Sequence, residues 1–211
     1  MTDITLSDCL DTMPLVAVLR GIEPGEALAV GQVLLDAGFK IMEVTLNSPS
    51  PLDSIRILAD AYGDKALVGA GTVLTTQAAK DVADAGGRLV VMPHSDVEVI
   101  KAGKTNGCYV LPGVATPTEA FAALNAGADG LKMFPAESMP PSVLKAWRAV
   151  LPKDTPVLPV GSMTPETMPS YWAVGASGFG LGSALYKNGK SLDDLKQAAD
   201  GYVRAMNALK G

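Results

Sequence analysis

The chain has 211 residues, 48% hydrophobic and 18% charged, with 22 glycines and 15 prolines, a composition that excludes a disordered or low-complexity chain. With 17 basic and 22 acidic residues the net charge is −5 and no block of like charge occurs, so the basic footprint of a nucleic-acid binder is missing. Cys9 and Cys108 lie far apart without a C-x-x-C companion, which speaks against a disulfide framework or a thiolate metal site. The opening stretch carries Asp3, Asp8 and Asp11, and no apolar run approaches the ~18 residues of a membrane span, so the expectation is a cytoplasmic protein without a membrane partner.

In chain order, short apolar runs alternate with helical patterns. Leu15 to Leu19 predicts a strand, and Pro24 opens a helix that ends at Gly38. Ile41 to Thr45 predicts the next strand, followed by Pro51 and a helix over Leu52 to Tyr62. Strand runs then recur at Leu67 to Ala70, Leu89 to Met92 and Cys108 to Leu111. Thr116 and Pro117 precede an alanine-rich helix, Gly130 to Met133 and Pro156 to Val160 are further strands, Thr164 and Pro165 precede a helix near Met168, and Gly178 to Leu181 closes the series. The unit βα repeats about eight times with no linker or composition shift. This predicts a single domain over 1–211, a single (β/α)8 TIM barrel rather than an open doubly wound sheet.

In such a barrel both faces of a strand are covered, and a charge within a strand is costly unless paired. Arg20 ends the first run, Glu43 interrupts the second and Lys132 interrupts the sixth. Side chains alternate with period 2, so Lys132 points away from Leu131 and Met133, and Glu43 away from Met42 and Val44. If those apolar neighbours face the helices, both charges face the interior. Desolvation there disfavours an ammonium and frees the amine as a nucleophile, which suits Schiff-base chemistry. A structural ion pair, or two charges at a solvated mouth, fits the same pattern.

Two small-residue loops follow the last two strands: Gly161-Ser162-Met163 and Gly182-Ser183-Ala184. Loops after strands seven and eight of a barrel can aim backbone N–H groups at a phosphate, so a phosphorylated substrate is expected; tight βα turns are the simpler alternative. Gly178-x-Gly180-x-Gly182 lacks the G-x-G-x-x-G spacing of a dinucleotide site. His94 follows Pro93 at a strand end, where it can reach a ligand or stay solvated. With one histidine and scattered carboxylates, no metal site is expected.

Leu19-Arg20-Gly21, Glu43-Val44-Thr45-Leu46-Asn47-Ser48-Pro49, Val68-Gly69-Ala70-Gly71-Thr72-Val73 and Lys132-Met133-Phe134-Pro135-Ala136-Glu137 occur in order at predicted strand ends. Together they resemble the 2-keto-3-deoxy-6-phosphosugar-acid aldolases over nearly the whole chain. The resemblance implies a class I, metal-free, cofactor-free lyase, typically a homotrimer. It makes Lys132 the Schiff-base lysine and Glu43 the general acid/base. Arg20 and Thr72 would hold the substrate's carboxylate end, Phe134 would pack beside the imine, and Gly161, Ser162, Gly182 and Ser183 would bind phosphate.

Asn47 and Val160 stand where gluconate-type members usually place arginine and threonine, so the chain is more similar to galactonate-type members. Phe134-Pro135-Ala136-Glu137 is the form common in gluconate-type members. Ser162 replaces the second glycine of the usual phosphate loop, and His94 replaces a smaller or amide residue. The expected substrate is the phosphorylated galacto keto-deoxy acid, with the gluco epimer, or both, as the alternative. A phosphosugar isomerase or epimerase, or a non-catalytic phosphosugar-binding barrel, is the more remote reading.

Overall fold

The computed structural model describes residues 4–211. A short helix opens it, α1 (Leu6–Thr12), started by a capping box in which the Thr5 hydroxyl accepts from the Asp8 N–H and the Asp8 carboxylate accepts from the Thr5 N–H. Then come β1 (Leu15–Leu19), α2 (Pro24–Ala37), β2 (Ile41–Thr45), α3 (Pro51–Tyr62), β3 (Leu67–Gly71), α4 (Thr76–Asp84) and β4 (Leu89–Val91). The chain continues through α5 (Val97–Thr105), β5 (Tyr109–Leu111), β6 (Gly113–Val114), α6 (Pro117–Asn125), β7 (Leu131–Met133), a 3-10 turn (Ala136–Ser138) and α7 (Pro141–Arg148). It ends with β8 (Val157–Pro159), α8 (Met168–Trp172), β9 (Phe179–Leu181) and α9 (Leu192–Lys210).

Local chemistry sets these boundaries. Pro24, Pro51 and Pro117 sit in the first helical turn, where a missing N–H costs nothing. Thr75, Asp96, Thr116 and Ser191 accept hydrogen bonds from the first-turn N–H groups of α4, α5, α6 and α9. Gly38 ends α2 at φ 112°, a conformation that favours glycine. α1 falls in the acidic opening stretch, for which the sequence pattern predicts no element.

All strand pairs are parallel. The fold is α/β, but the strands form two sheets, ordered β5-β4-β3-β2-β1-β9 and β6-β7-β8, and not the one closed eight-stranded sheet expected. The break falls at Pro112, which separates β5 from β6 and has no N–H to give to a ladder. The sheets nevertheless touch: a single parallel bridge joins Val160 to Gly180, and Lys132 N–H donates to the Pro112 carbonyl at 2.9 Å.

Period-2 alternation divides the core. Leu15, Ala17, Met42, Val44, Val68, Ala70, Leu131 and Met133 belong to the large cluster that includes the helices' apolar faces. Val16, Ile41, Leu67, Leu89, Val91, Leu111 and Leu158 form a second cluster on the other, inner face of the sheets. Leu6 and Cys9 of α1 join that inner cluster, so α1 caps the sheets' N-terminal edge. No helix among the described residues is long and apolar enough to cross a membrane.

Candidate functional site

Glu43 is in register with Val18 of β1 and Gly69 of β3, and shares the inner face with Ile41. Lys132 is in register with Gly113 and Leu158, and its neighbours Leu131 and Met133 face the helices. Both charges therefore point inward, as alternation predicts. They are buried, Glu43 at 1% and Lys132 at 8% exposure. Both line one narrow inner cavity, with Val18, Leu158, Val160 and Gly180 as part of its apolar wall.

That wall controls the electrostatics. Burial pushes the Lys132 ammonium below the usual lysine range, the Glu43 carboxylate pulls it back up, and Arg20 adds to the depression. Burial likewise raises the Glu43 carboxyl, opposed by the Lys132 charge and then by Arg20. One Glu43 oxygen, Oε2, is buried with no hydrogen-bond partner among the described residues. A buried acceptor without a partner, in the same cavity as a desolvated amine, is chemically able to exchange a proton. The Lys132 Nζ also lies 4.8 Å from the Phe134 ring centroid, so an aromatic face flanks the amine.

The other candidates gather on the same edge, because each follows the C-terminal end of a parallel strand. Arg20 is exposed just beyond β1, and Thr72 is half-buried just beyond β3 with φ 58°. Val160, just beyond β8, lines the cavity. Gly161 adopts φ 116° and exposed Ser162 adopts φ 51°, while Gly182 and Ser183 follow β9. Thr72 and Ser162 are non-glycine residues held in left-handed backbone, a strained state that persists only where surrounding structure imposes it. Of the predicted site residues only Lys132, Glu43 and Val160 line the cavity; Arg20, Thr72, Phe134, Gly161, Ser162, Gly182 and Ser183 do not.

His94 also lies outside that lining. Its carbonyl accepts from the Gly113 N–H at 3.1 Å, next to Lys132 in register, and its Nδ1 is buried without a partner among the described residues. Two residues of the edge escaped the sequence reading. A β-carbon on Gly161 would collide with the Glu137 carboxylate, so Glu137 packs against the small-residue loop. Ser48 is buried between the ends of β1 and β2. Both lie within quoted motifs, but only their contacts single them out. Among the described residues no group of three or more His, Cys, Asp or Glu side chains could hold a metal ion.

Residues 6–198 match the family model described as KDPG and KHG aldolase. The chain is 48% identical over 193 residues to the 2-dehydro-3-deoxy-6-phosphogalactonate aldolase of Escherichia coli K12, covering 92% of this chain and 94% of that protein. A solved native KDPGal structure superposes with a TM-score of 0.92 at 46% identity, covering 94% of this chain and 96% of that one. A cube-shaped protein cage designed by fusing symmetric oligomeric domains matches with the same TM-score and identity over 94% of this chain and 73% of its own. The inward lysine and glutamate, the rim loops and these likenesses agree: the chain belongs to the KDPG and KHG aldolase family.

Proposed function

We propose that this chain is a class I aldolase that cleaves 2-dehydro-3-deoxy-6-phosphogalactonate to pyruvate and D-glyceraldehyde 3-phosphate. The observation that carries the reading is the burial of the Lys132 amine and the Glu43 carboxylate in one cavity. The 48% identity to a galactonate-type enzyme supports the choice of substrate.

In this mechanism the neutral Lys132 amine attacks the C2 ketone to form a carbinolamine. Glu43 delivers the proton with which the C2 hydroxyl leaves as water, giving an iminium. The C4 hydroxyl then loses its proton to Glu43, directly or through water. The C3–C4 bond breaks, its electron pair moves into the iminium as an enamine, and the aldehyde departs. Protonation at C3 followed by hydrolysis returns pyruvate and the free amine. Arg20 and Thr72 hold the carboxylate end, and Phe134 packs beside the imine. Gly161, Ser162, Gly182 and Ser183 present N–H and hydroxyl donors to the phosphate.

Val160 favours the galacto reading, since an aliphatic wall at C4 offers no hydroxyl to select the gluco epimer. Phe134-Pro135-Ala136-Glu137, the form common in gluconate-type members, supports the second reading, activity on that epimer too. We also read the two sheets as parts of one (β/α)8 barrel, supported by the Val160–Gly180 bridge, and the chain as one domain. A homotrimer fits the likeness to a cage component built from symmetric oligomeric domains, and two free, buried cysteines fit a reducing cytoplasm.

Borohydride reduction with pyruvate, followed by intact and peptide mass analysis, tests the chemistry. The expected result is a pyruvate-sized adduct on Lys132 that is absent from Lys132→Met. A folded wild-type protein with no adduct removes the aldolase reading. Comparing kcat/KM on the two C4 epimers decides between the substrate readings.

A further inference from the structure

The Arg20 guanidinium forms no hydrogen bond with any described residue and its side chain is exposed; apart from its electrostatic effect on Glu43 and Lys132, its anchorage is the backbone that carries it. One side of that backbone is β1. The other is Gly21, at φ 81°, and both of its peptide groups' polar atoms are held by side chains. The Gly21 N–H donates to Ser48 Oγ at 2.9 Å, and Asn188 Nδ2 donates to the Gly21 carbonyl at 3.1 Å.

These two side chains arrive from opposite sides, because β1 lies between β2 and β9 in the sheet. Ser48 follows β2, is 8% exposed, and meets Thr45 Oγ1 at 3.1 Å; its N–H donates to the Thr45 carbonyl at 2.9 Å. Thr45 lies two residues beyond Glu43 on the same inward face. Asn188 belongs to the segment after β9 that also carries Gly182 and Ser183. The turn bearing Arg20 is thus tied on one side to the strand of the acid/base carboxylate and on the other to a small-residue loop of the rim.

We propose that Ser48 and Asn188 are positioning residues that clamp Gly21 and thereby fix where Arg20 meets the substrate's carboxylate relative to the phosphate end. The proposal rests on the reading of Arg20 as the carboxylate-holding group. A side chain that no hydrogen bond anchors can be misplaced by a small backbone shift, and misplacements of about 1 Å cost on the order of 100-fold in well-ordered sites.

The test is steady-state kinetics on Arg20→Ala, Ser48→Ala and Asn188→Ala, and on each clamp variant combined with Arg20→Ala, with melting temperatures measured alongside. Arg20→Ala is expected to raise KM by about 100-fold, and each clamp variant by roughly 5- to 20-fold with kcat changed less. In the Arg20→Ala background the clamp substitutions are expected to add under about 2-fold, since their effect passes through Arg20. A purely structural role lowers the melting temperature and shows no such dependence on Arg20. If Ser48→Ala fails to fold, Asn188→Ala, at an exposed position, decides alone. If Arg20→Ala leaves KM unchanged, the carboxylate reading falls and the clamp with it. If Arg20→Ala raises KM while the clamp variants match wild type, or keep their full factors without Arg20, the clamp alone is overturned.

Discussion

The Glu43 carboxylate occupies the space that a side chain on Gly71 would need: a β-carbon there would stand 2.7 Å from Glu43 Oε1 and 2.9 Å from Cδ. Gly71 ends β3, pairs with Thr45 in the register that sets Glu43 against Gly69, and precedes Thr72. Gly71→Ala is therefore expected to displace the carboxylate while leaving Lys132 in place. Overpacking of this kind costs about 1–3 kcal/mol of stability. The kcat should fall at least about 10-fold, toward the roughly 100- to 10,000-fold loss expected for Glu43→Gln. Urea denaturation and turnover of the variant check both parts, and a wild-type kcat would show that Glu43 does not act from this position.

The proton balance of the pair predicts a pH shift. Burial lowers the Lys132 pKa and the Glu43 charge opposes that lowering. The neutral amine of Lys132 is thus available at pH values where an exposed lysine remains protonated. Glu43→Gln removes the charge that holds the proton on Lys132, so its pKa should fall further. The midpoint of pyruvate-imine trapping against pH is expected below the ordinary lysine value of 10.5 in wild type and lower still in Glu43→Gln. A midpoint that moves upward in the variant contradicts the coupling.

Val160 contributes to the cavity wall and packs against Gly180, where a β-carbon would come within 2.6 Å of Val160 Cγ2. Val160→Thr keeps the shape and adds one hydroxyl beside the proposed C4 position. The ratio of kcat/KM for the gluco over the galacto epimer should rise by about 10-fold, within the range a single hydrogen bond supplies. Kinetics on both epimers with one enzyme preparation measures it, and an unchanged ratio places C4 elsewhere.

Arg148 tests stability away from the site. Its guanidinium donates to the Gly175 carbonyl at 2.7 Å, the Thr155 carbonyl at 2.7 Å and Ser177 Oγ at 2.9 Å, joining α7 to the segments that lead into β8 and β9. Arg148→Ala leaves the carbonyl of buried Thr155 without this donor and removes the packing of the side-chain stem. A loss of roughly 2–4 kcal/mol is expected, with kcat/KM unchanged at temperatures where the variant is folded. A loss of activity without a loss of stability would contradict a purely structural role.

Strand runs such as Leu15 to Leu19 and Ile41 to Thr45 coincide with β1 and β2, and Pro24 and Gly38 mark the ends of α2 as their chemistry predicts. These features are local, and so is the alternation that sets Glu43 and Lys132 opposite their apolar neighbours; each depends on neighbours one to four residues away. α1 escaped such reading because its seven residues include only two that are buried, too few to establish a period.

The sequence by itself determined the α/β alternation, the placing of the two charges on the strand face opposite their apolar neighbours, and the small-residue loops at the strand ends. Only the tertiary structure decided that Glu43 and Lys132 share a cavity, that Gly71 leaves room for the carboxylate, and that Ser48 and Asn188 meet at Gly21. It also decided that the sheet divides at Pro112, although the missing N–H is written in the residue itself. The physical reason is that parity and capping follow from bonds along the chain, whereas juxtaposition across strands depends on register and on side chains packed from distant segments.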